Sequence, residues 1–218
     1  MPLPADAAVM PPLTDALVVL VALAVAATLR PWRVLGGAAP PWPWGAVWVL
    51  LPLLWGLDRY TGSPSLLAMS GAPLLVLAAG WPFAVLAMLP AALIVWMAGP
   101  MPALEALHRL AWWGVVPATL ALGIGVALRH FAPSHVFVYI LGRGFLGTIV
   151  AVAAARVIDQ GLHGPSGVSA PADQIVAGVL AAFGEGFLTG MLVAIVVAFR
   201  PQWLATYTDR LYLPPPAR

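Results

Sequence analysis

The chain has 218 residues, of which 62% are hydrophobic and only 8% are charged. A soluble domain carries about 25% charged residues, so this composition excludes a water-soluble globular protein and predicts a single integral membrane domain over residues 1–218. Every basic residue is arginine and there is no cysteine. Disulfides, thiolate metal sites and P-loop nucleotide binding through a lysine are therefore excluded.

Apolar runs between proline, glycine and arginine breakers predict an all-α, polytopic membrane helix bundle with about seven transmembrane helices. A helix needs roughly 20 apolar residues to cross a bilayer. Only "GWP" separates the third run from the fourth, so a re-entrant element there would leave six spans. In chain order the runs cover approximately residues 13–29, 44–57, 65–79, 81–98, 108–128, 134–157 and 173–199.

The distribution of arginine predicts the orientation of these spans. With seven spans, six arginines fall on one side and three on the other, and the side richer in arginine is usually cytoplasmic. This places the C-terminus in the cytoplasm and the N-terminus outside, in a multi-pass membrane protein. The first side holds Arg30, Arg33, Arg129, Arg200, Arg210 and Arg218, and the second holds Arg59, Arg109 and Arg156.

Tryptophans gather near the ends of the apolar runs, which is typical of side chains at the membrane interface. We therefore expect interfacial positions for a set that comprises Trp32, Trp42, Trp44, Trp81, Trp112, Trp113 and Trp203.

Polar residues inside the runs mark a candidate interior site, because a charged group in a span costs about 2.5–3.5 kcal/mol and usually faces the bundle interior. The seventh run carries an acid, and the sixth carries a cation and other polar groups. We predict that a donor on the sixth run holds this acid, with the arginine as first choice. An alternative is a contact that only locks the two helices together. The candidate residues are Glu185, Arg143, His135, Tyr139 and Thr189.

Glycines in the same two runs predict a close approach of their helices, because small residues let backbones pack tightly. These glycines are Gly142, Gly144, Gly186 and Gly190. Asp15 is a further acid, near the start of the first run.

Other chemistry is not indicated by any motif. His108, His130 and His163 fall at predicted loop positions without a shared spacing, and neither an HExxH motif nor a hydrolase-like Ser, His and Asp pattern is present. We therefore assign no catalytic residue and no metal ligand, leave any cofactor and its binding residues unassigned, and expect no enzyme activity and no nucleic-acid partner. The tail "RPQWLATYTDRLYL" predicts an interfacial anchor in contact with lipid, or a docking surface for a membrane partner.

Two segments carry a family resemblance. "HVFVYILGRGFLGTIVA", followed by "GEGFLTGM" and "FRPQWLATYTDRLYL", resembles the cobalt/nickel-type permease family of energy-coupling factor transporters (CbiM/NikM-like), in a divergent proteobacterial branch. The resemblance covers about the C-terminal 85 residues. It extends more loosely to "SLLAMSGAPLLVLAAGWPFAVLAML".

The resemblance implies a seven-helix substrate-binding component that works with an ATPase pair and a coupling membrane subunit. In that family the metal is held by the terminal amine, a histidine after the initiator methionine and a histidine on a following helix. Here position 2 is Pro2, and residues 66–70 contain no histidine, so the family's metal site does not carry over. We expect a transport component for a transition metal ion or small cofactor. The alternative is a non-transport accessory or assembly subunit that retains the scaffold.

Overall fold

The computed structural model describes residues 5–33, 43–61, 69–98, 101–164 and 170–212, without the side chains of residues 5–11, 33, 43–45 and 59–61. Some of the expectations above concern residues outside these ranges, namely Pro2, Trp42 and residues 66–68. Within these ranges every regular element is helical.

The helices follow the apolar runs closely. Two π-helical segments, Leu110–Val115 and Val138–Leu146, join α5 to α6 and lead into α7, and single 3₁₀ turns cover Pro31–Arg33 and Pro201–Trp203. The α-helices are α1 (Ala5–Thr28), α2 (Pro43–Thr61), α3 (Ala72–Ala79), α4 (Trp81–Ala98), α5 (Ala103–Arg109), α6 (Val116–Phe131), α7 (Gly147–His163), α8 (Pro171–Phe199) and α9 (Asp209–Tyr212).

Four continuous helical stretches are long and apolar enough to cross a membrane. They are Trp81–Ala98, Ala103–Phe131, Val138–His163 and Pro171–Phe199, and α1 and α2 contribute shorter apolar stretches. The chain is therefore an all-helical protein whose composition and helix lengths are compatible with a membrane. These four stretches contain most of the fourth to seventh predicted runs.

The third predicted run becomes a short helix. α3 has only eight residues and is bounded by Gly71 and Gly80, whose φ angles are +69° and +80°. Both φ values lie in the left-handed region that favours glycine. Pro73 stands in the first turn, where its missing N–H costs no helical hydrogen bond. Because Ser70 and Gly71 contact Glu185, which is fourteen residues from each end of α8, α3 starts beside the middle of that helix.

Glycines bring α7 and α8 together, as the sequence predicts. A methyl group built on Gly186 would lie 2.4 Å from Ile149 Cγ1, and one on Gly190 would lie 3.0 Å from Phe145 Cβ. Gly144 faces Val193 of α8 at 3.4 Å. The fourth glycine of the set, Gly142, instead packs on Leu128 of α6.

The C-terminal tail folds back on the bundle where α3 ends. The Ala205 N–H donates to the Ala78 carbonyl at 2.9 Å, and the Thr206 hydroxyl donates to the Leu77 carbonyl at 2.9 Å. These carbonyls belong to the last turn of α3, where a helix leaves acceptors without partners of its own. Tyr207 of the tail is buried, so the tail is packed against its own bundle.

The tryptophans expected at the interface divide into two groups. Trp32 and Trp203 are exposed, but Trp81 and Trp112 are buried. The expectation was wrong for the buried pair, because each indole N–H has a polar partner inside the bundle. Trp81 donates to the Thr119 hydroxyl, and Trp112 donates to the Asp15 carboxylate.

Candidate functional site

Four ionisable side chains from three helices converge at one end of the bundle, and we call them the His–Asp cluster. Asp15 comes from α1, His108 from α5, and Asp159 and His163 from adjacent turns of α7. Asp15 is only 3% exposed. His108 is the penultimate residue of α5 and His163 the last residue of α7, whereas Asp15 lies inside α1, so residues far apart in the chain reach one place.

Each imidazole in the cluster lies between the two carboxylates. His108 Nδ1 is 3.0 Å from Asp15 Oδ2, and its Nε2 is 3.4 Å from Asp159 Oδ2. His163 Nε2 is 3.4 Å from Asp15 Oδ1, and its Nδ1 is 2.8 Å from Asp159 Oδ1. The four side chains therefore form a closed cycle in which carboxylates and imidazoles alternate.

Neighbouring groups fix the cluster in place. The Trp112 indole N–H donates to Asp15 Oδ1 at 2.7 Å, and the Thr14 hydroxyl is 3.3 Å from His163 Nε2. The rings of His108 and Trp112 both meet the His163 ring edge-on, at centroid separations of 5.1 and 5.3 Å. The His163 imidazole is thus held by contacts on several sides.

A second polar group fixes the orientation of α5. Arg109 is 4% exposed, and its guanidinium donates to both carboxylate oxygens of Asp58 at 2.8 and 2.6 Å and to Glu105 at 2.7 Å. It also lies 4.5 Å above the Trp113 ring. A buried charge needs such partners. These contacts tie α5 to α2 at the residue that follows His108.

The sequence analysis did not foresee the His–Asp cluster. It placed His108 and His163 in loops, whereas His108 lies within α5 and His163 is the last residue of α7. One available signal was the spacing of Asp159 and His163, which are four residues apart and share a helix face. Another was topological, because seven alternating spans would bring Asp15, His108 and Asp159 to the same side.

Glu185 is buried in the interior, but its partners differ from the predicted ones. Its Oε2 accepts the Ser70 backbone N–H at 2.7 Å, and its Oε1 accepts the Gly71 N–H at 2.8 Å. Both N–H groups precede the first turn of α3 and have no helical acceptor. The positive end of the helix dipole also favours a carboxylate there. The backbone just before the short helix α3 therefore supplies the hydrogen-bond donors to Glu185 that the sequence analysis expected from the sixth run.

The sixth run still contributes a charge near Glu185, but from a different arginine. Arg156 of α7 interacts electrostatically with both Glu185 and Asp159. Arg143 instead lies over Gly125 of α6, where a methyl group would be 2.6 Å from its Nη2. The prediction of Arg143 as the partner of Glu185 is corrected, because the absent side chain at Gly125 lets the guanidinium extend toward α6.

The remaining predicted site residues are dispersed. Tyr139 is buried and its hydroxyl pairs with the Thr206 hydroxyl at 2.8 Å, so it contacts the tail. His135 is exposed and stacks on Phe137. Thr189 is buried one helical turn from Glu185. The five residues predicted to form one site thus include two neighbouring pairs, Glu185 with Thr189 on α8 and Arg143, whose guanidinium lies 5.5 Å over the Tyr139 ring.

Comparison with known proteins leaves the site to be interpreted from its own chemistry. No protein-family model, curated protein or solved structure matches the chain.

Proposed function

We propose that this chain is the membrane substrate-binding component of an energy-coupling factor-type transporter, and that it accepts a small cationic substrate at the His–Asp cluster. The observation that carries the proposal is the convergence of Asp15, His108, Asp159 and His163. Two carboxylates and two imidazoles gathered at one point offer negative charge and lone pairs to a cation.

A purely structural role accounts poorly for this cluster. Ionisable residues in membrane helices are expensive and commonly mark substrate or ion pathways. Apolar side chains of similar volume would hold α1, α5 and α7 together at no lower stability, because a buried ion pair often loses as much by desolvation as it gains. The chain nevertheless uses two of its few acids here.

The broken helix α3 supports the same proposal. Transporters commonly build their substrate and ion pathways around discontinuous helices. Here Ser70 and Gly71 precede α3 and meet Glu185 in the middle of α8. Arg156 interacts with both Asp159 and Glu185, so charged groups lead from the cluster to this break.

The proposed protein has seven spans, an outside N-terminus and a cytoplasmic C-terminus in the bacterial inner membrane. In this orientation the cluster faces the non-cytoplasmic side, from which an imported substrate arrives. The chain has no P-loop motif, so an ATPase pair and a coupling membrane subunit would supply the energy.

The test is cation accumulation in cells that natively produce the protein. A deletion strain is compared with strains complemented by the wild-type chain, by Asp15→Asn or by His130→Ala, and cell-associated manganese, cobalt, nickel and zinc are measured. His130 is exposed and lies outside the cluster, so its variant is the matched control. We expect one metal to fall severalfold in the deletion and Asp15→Asn strains and to recover with wild type and His130→Ala.

Equal accumulation of all four metals in every strain would overturn the proposal. If the tagged chain then co-purified with a membrane complex containing no ATPase, the accessory-subunit alternative would take its place.

A further inference from the structure

We infer that the His–Asp cluster is a three-ligand site for a divalent transition metal ion, with Asp15, His108 Nδ1 and His163 Nε2 as ligands. The inference rests on the proposed function and names the substrate class of the same site. One ligand atom from each of these residues lies within 4.8 Å of the others. The two imidazole nitrogens that face Asp15 are the ones assigned to the metal.

The distances between these atoms suit a small cation. A tetrahedral ion with bonds of about 2.0–2.1 Å to nitrogen and oxygen holds neighbouring ligand atoms roughly 3.3 Å apart. His108 Nδ1 and His163 Nε2 lie 3.0 and 3.4 Å from the two oxygens of Asp15. Small side-chain movements would therefore be enough for a metal ion to enter between them.

The outer partners of the ligands match those of a metal site. A ligating histidine usually donates its second ring N–H to a carboxylate, which fixes the tautomer and the ring orientation. Here His108 Nε2 and His163 Nδ1 both face Asp159, at 3.4 and 2.8 Å. Asp15 in turn receives the Trp112 indole N–H at 2.7 Å. Asp159 and Trp112 are thus positioning residues for the three ligands.

The ligand set identifies the class of metal. Two imidazoles suit zinc and other first-row transition metals, whereas calcium and magnesium require oxygen ligands. Three protein ligands leave a fourth coordination position open, as in sites where water or substrate exchanges, while structural zinc sites are closed by four. A site that must accept and release its ion needs such an open position.

The test is zinc binding to the purified full-length protein in detergent, with an affinity tag that contains no histidine. Calorimetry should show one Zn²⁺ per chain with Kd on the order of micromolar or tighter. We expect His108→Ala and His163→Ala to weaken binding by about 100-fold or more, because each removes a ligand. His130→Ala and His135→Ala, which change exposed histidines outside the cluster, should bind as wild type does.

Asp159→Asn tests the positioning role separately. It should lower zinc affinity by about 10–100-fold, while the melting temperature of the metal-free protein stays close to that of wild type. Co²⁺ provides a readout on the wild-type chain alone, which keeps the test valid if a histidine variant fails to fold. An intense tetrahedral visible spectrum that is displaced by Zn²⁺ supports the site. A weak octahedral spectrum like that of Co²⁺ in buffer overturns it.

The zinc inference and the transport proposal can fail independently. Zinc binding weaker than about millimolar, or equal in cluster and control variants, overturns the metal site even if the deletion strain loses a cation. Conversely, tight zinc binding that depends on His108 and His163, with metal content unchanged in the deletion strain, supports the site and overturns the transport proposal.

Discussion

Asp15 and Glu185 are equally buried carboxylates that are held in different ways. Both residues are 3% exposed. Asp15 faces two imidazoles and an indole N–H, all of them side-chain groups. Glu185 accepts two backbone N–H groups from Ser70 and Gly71. Burial alone therefore does not distinguish a structural acid from a ligand.

The difference lies in whether the partners can move away. The Ser70 and Gly71 N–H groups belong to the backbone just before α3, so they can move away from Glu185 only with the chain itself. The imidazoles of His108 and His163, unlike backbone N–H groups, carry ring nitrogens whose lone pairs can bind a cation. An acid surrounded by such side chains can exchange its partners.

Glu185→Leu should have the largest effect on stability. It leaves the Ser70 and Gly71 N–H groups buried without acceptors, and each loss costs about 1–3 kcal/mol. We expect a total destabilisation of roughly 3 kcal/mol or more, measured by thermal or denaturant unfolding in detergent. A variant as stable as wild type would show that Glu185 does not anchor α3.

Gly186→Ala tests the close packing of α7 and α8 next to Glu185. Its methyl group would overlap Ile149 Cγ1 at 2.4 Å, and relieving such overpacking costs about 1–3 kcal/mol. Gly184→Ala is the matched control on the same helix, because nothing lies within 4 Å of its new methyl group. It should be neutral or stabilising by up to about 1 kcal/mol. Equal melting temperatures for the two variants would contradict close α7–α8 packing.

The amide variants compare the two acids directly. Glu185→Gln has one carbonyl oxygen for two N–H donors, so about 1–3 kcal/mol should be lost. Asp15→Asn keeps a carbonyl oxygen for the Trp112 N–H, and its amide can donate to a neighbouring ring nitrogen, so we expect about 1 kcal/mol or less. The measurement is unfolding of both proteins in the same detergent without metal. The reverse order of stability would remove the distinction between the acids.

Trp112→Phe replaces a buried bicyclic indole by a smaller phenyl ring and removes one hydrogen bond, so it should cost about 1–3 kcal/mol of stability. Its effect on zinc affinity should be clearer, roughly tenfold, because Asp15 loses the donor that orients it. Trp96→Phe, at a half-exposed position on α4, is the control for both measurements. Unchanged zinc affinity in Trp112→Phe would show that the indole does not orient the ligand.

Much of the helical architecture could be predicted from the sequence. The lengths of the apolar runs predicted the ends of α4 and α8 to within a few residues. A run of so many apolar side chains is long enough for a membrane-crossing helix. The glycine spacing correctly predicted the α7–α8 contact. Gly186 and Gly190 carry no side chain, and this is also why the two helices can pack closely. The short α3 was harder to predict, although the Gly71 and Pro73 pattern marks a helix start.

The site could be predicted only in part. The burial of Glu185 followed from its charge, but its donors are backbone groups, and these become available only where a helix is interrupted. The His–Asp cluster depends on α1, α5 and α7 packing together, which residue spacing along the chain does not encode. The Asp159 and His163 spacing and the alternation of the spans pointed toward it, but neither places the four side chains in contact. The predicted Glu185 partner Arg143 was wrong because its guanidinium occupies the space beside Gly125 of α6. The sequence around Arg143 does not show that this space exists.

The attachment of the tail gives α3 a mechanical role. Residues Ala205 and Thr206 bind the last carbonyls of α3, while Glu185 binds the backbone just before its first turn. Eight helical residues form a rigid rod about 12 Å long, and the rod is jointed by glycine at both ends. A displacement of the tail would therefore move α3 as a unit. It would change the contact between the backbone before α3 and Glu185 at the centre of α8.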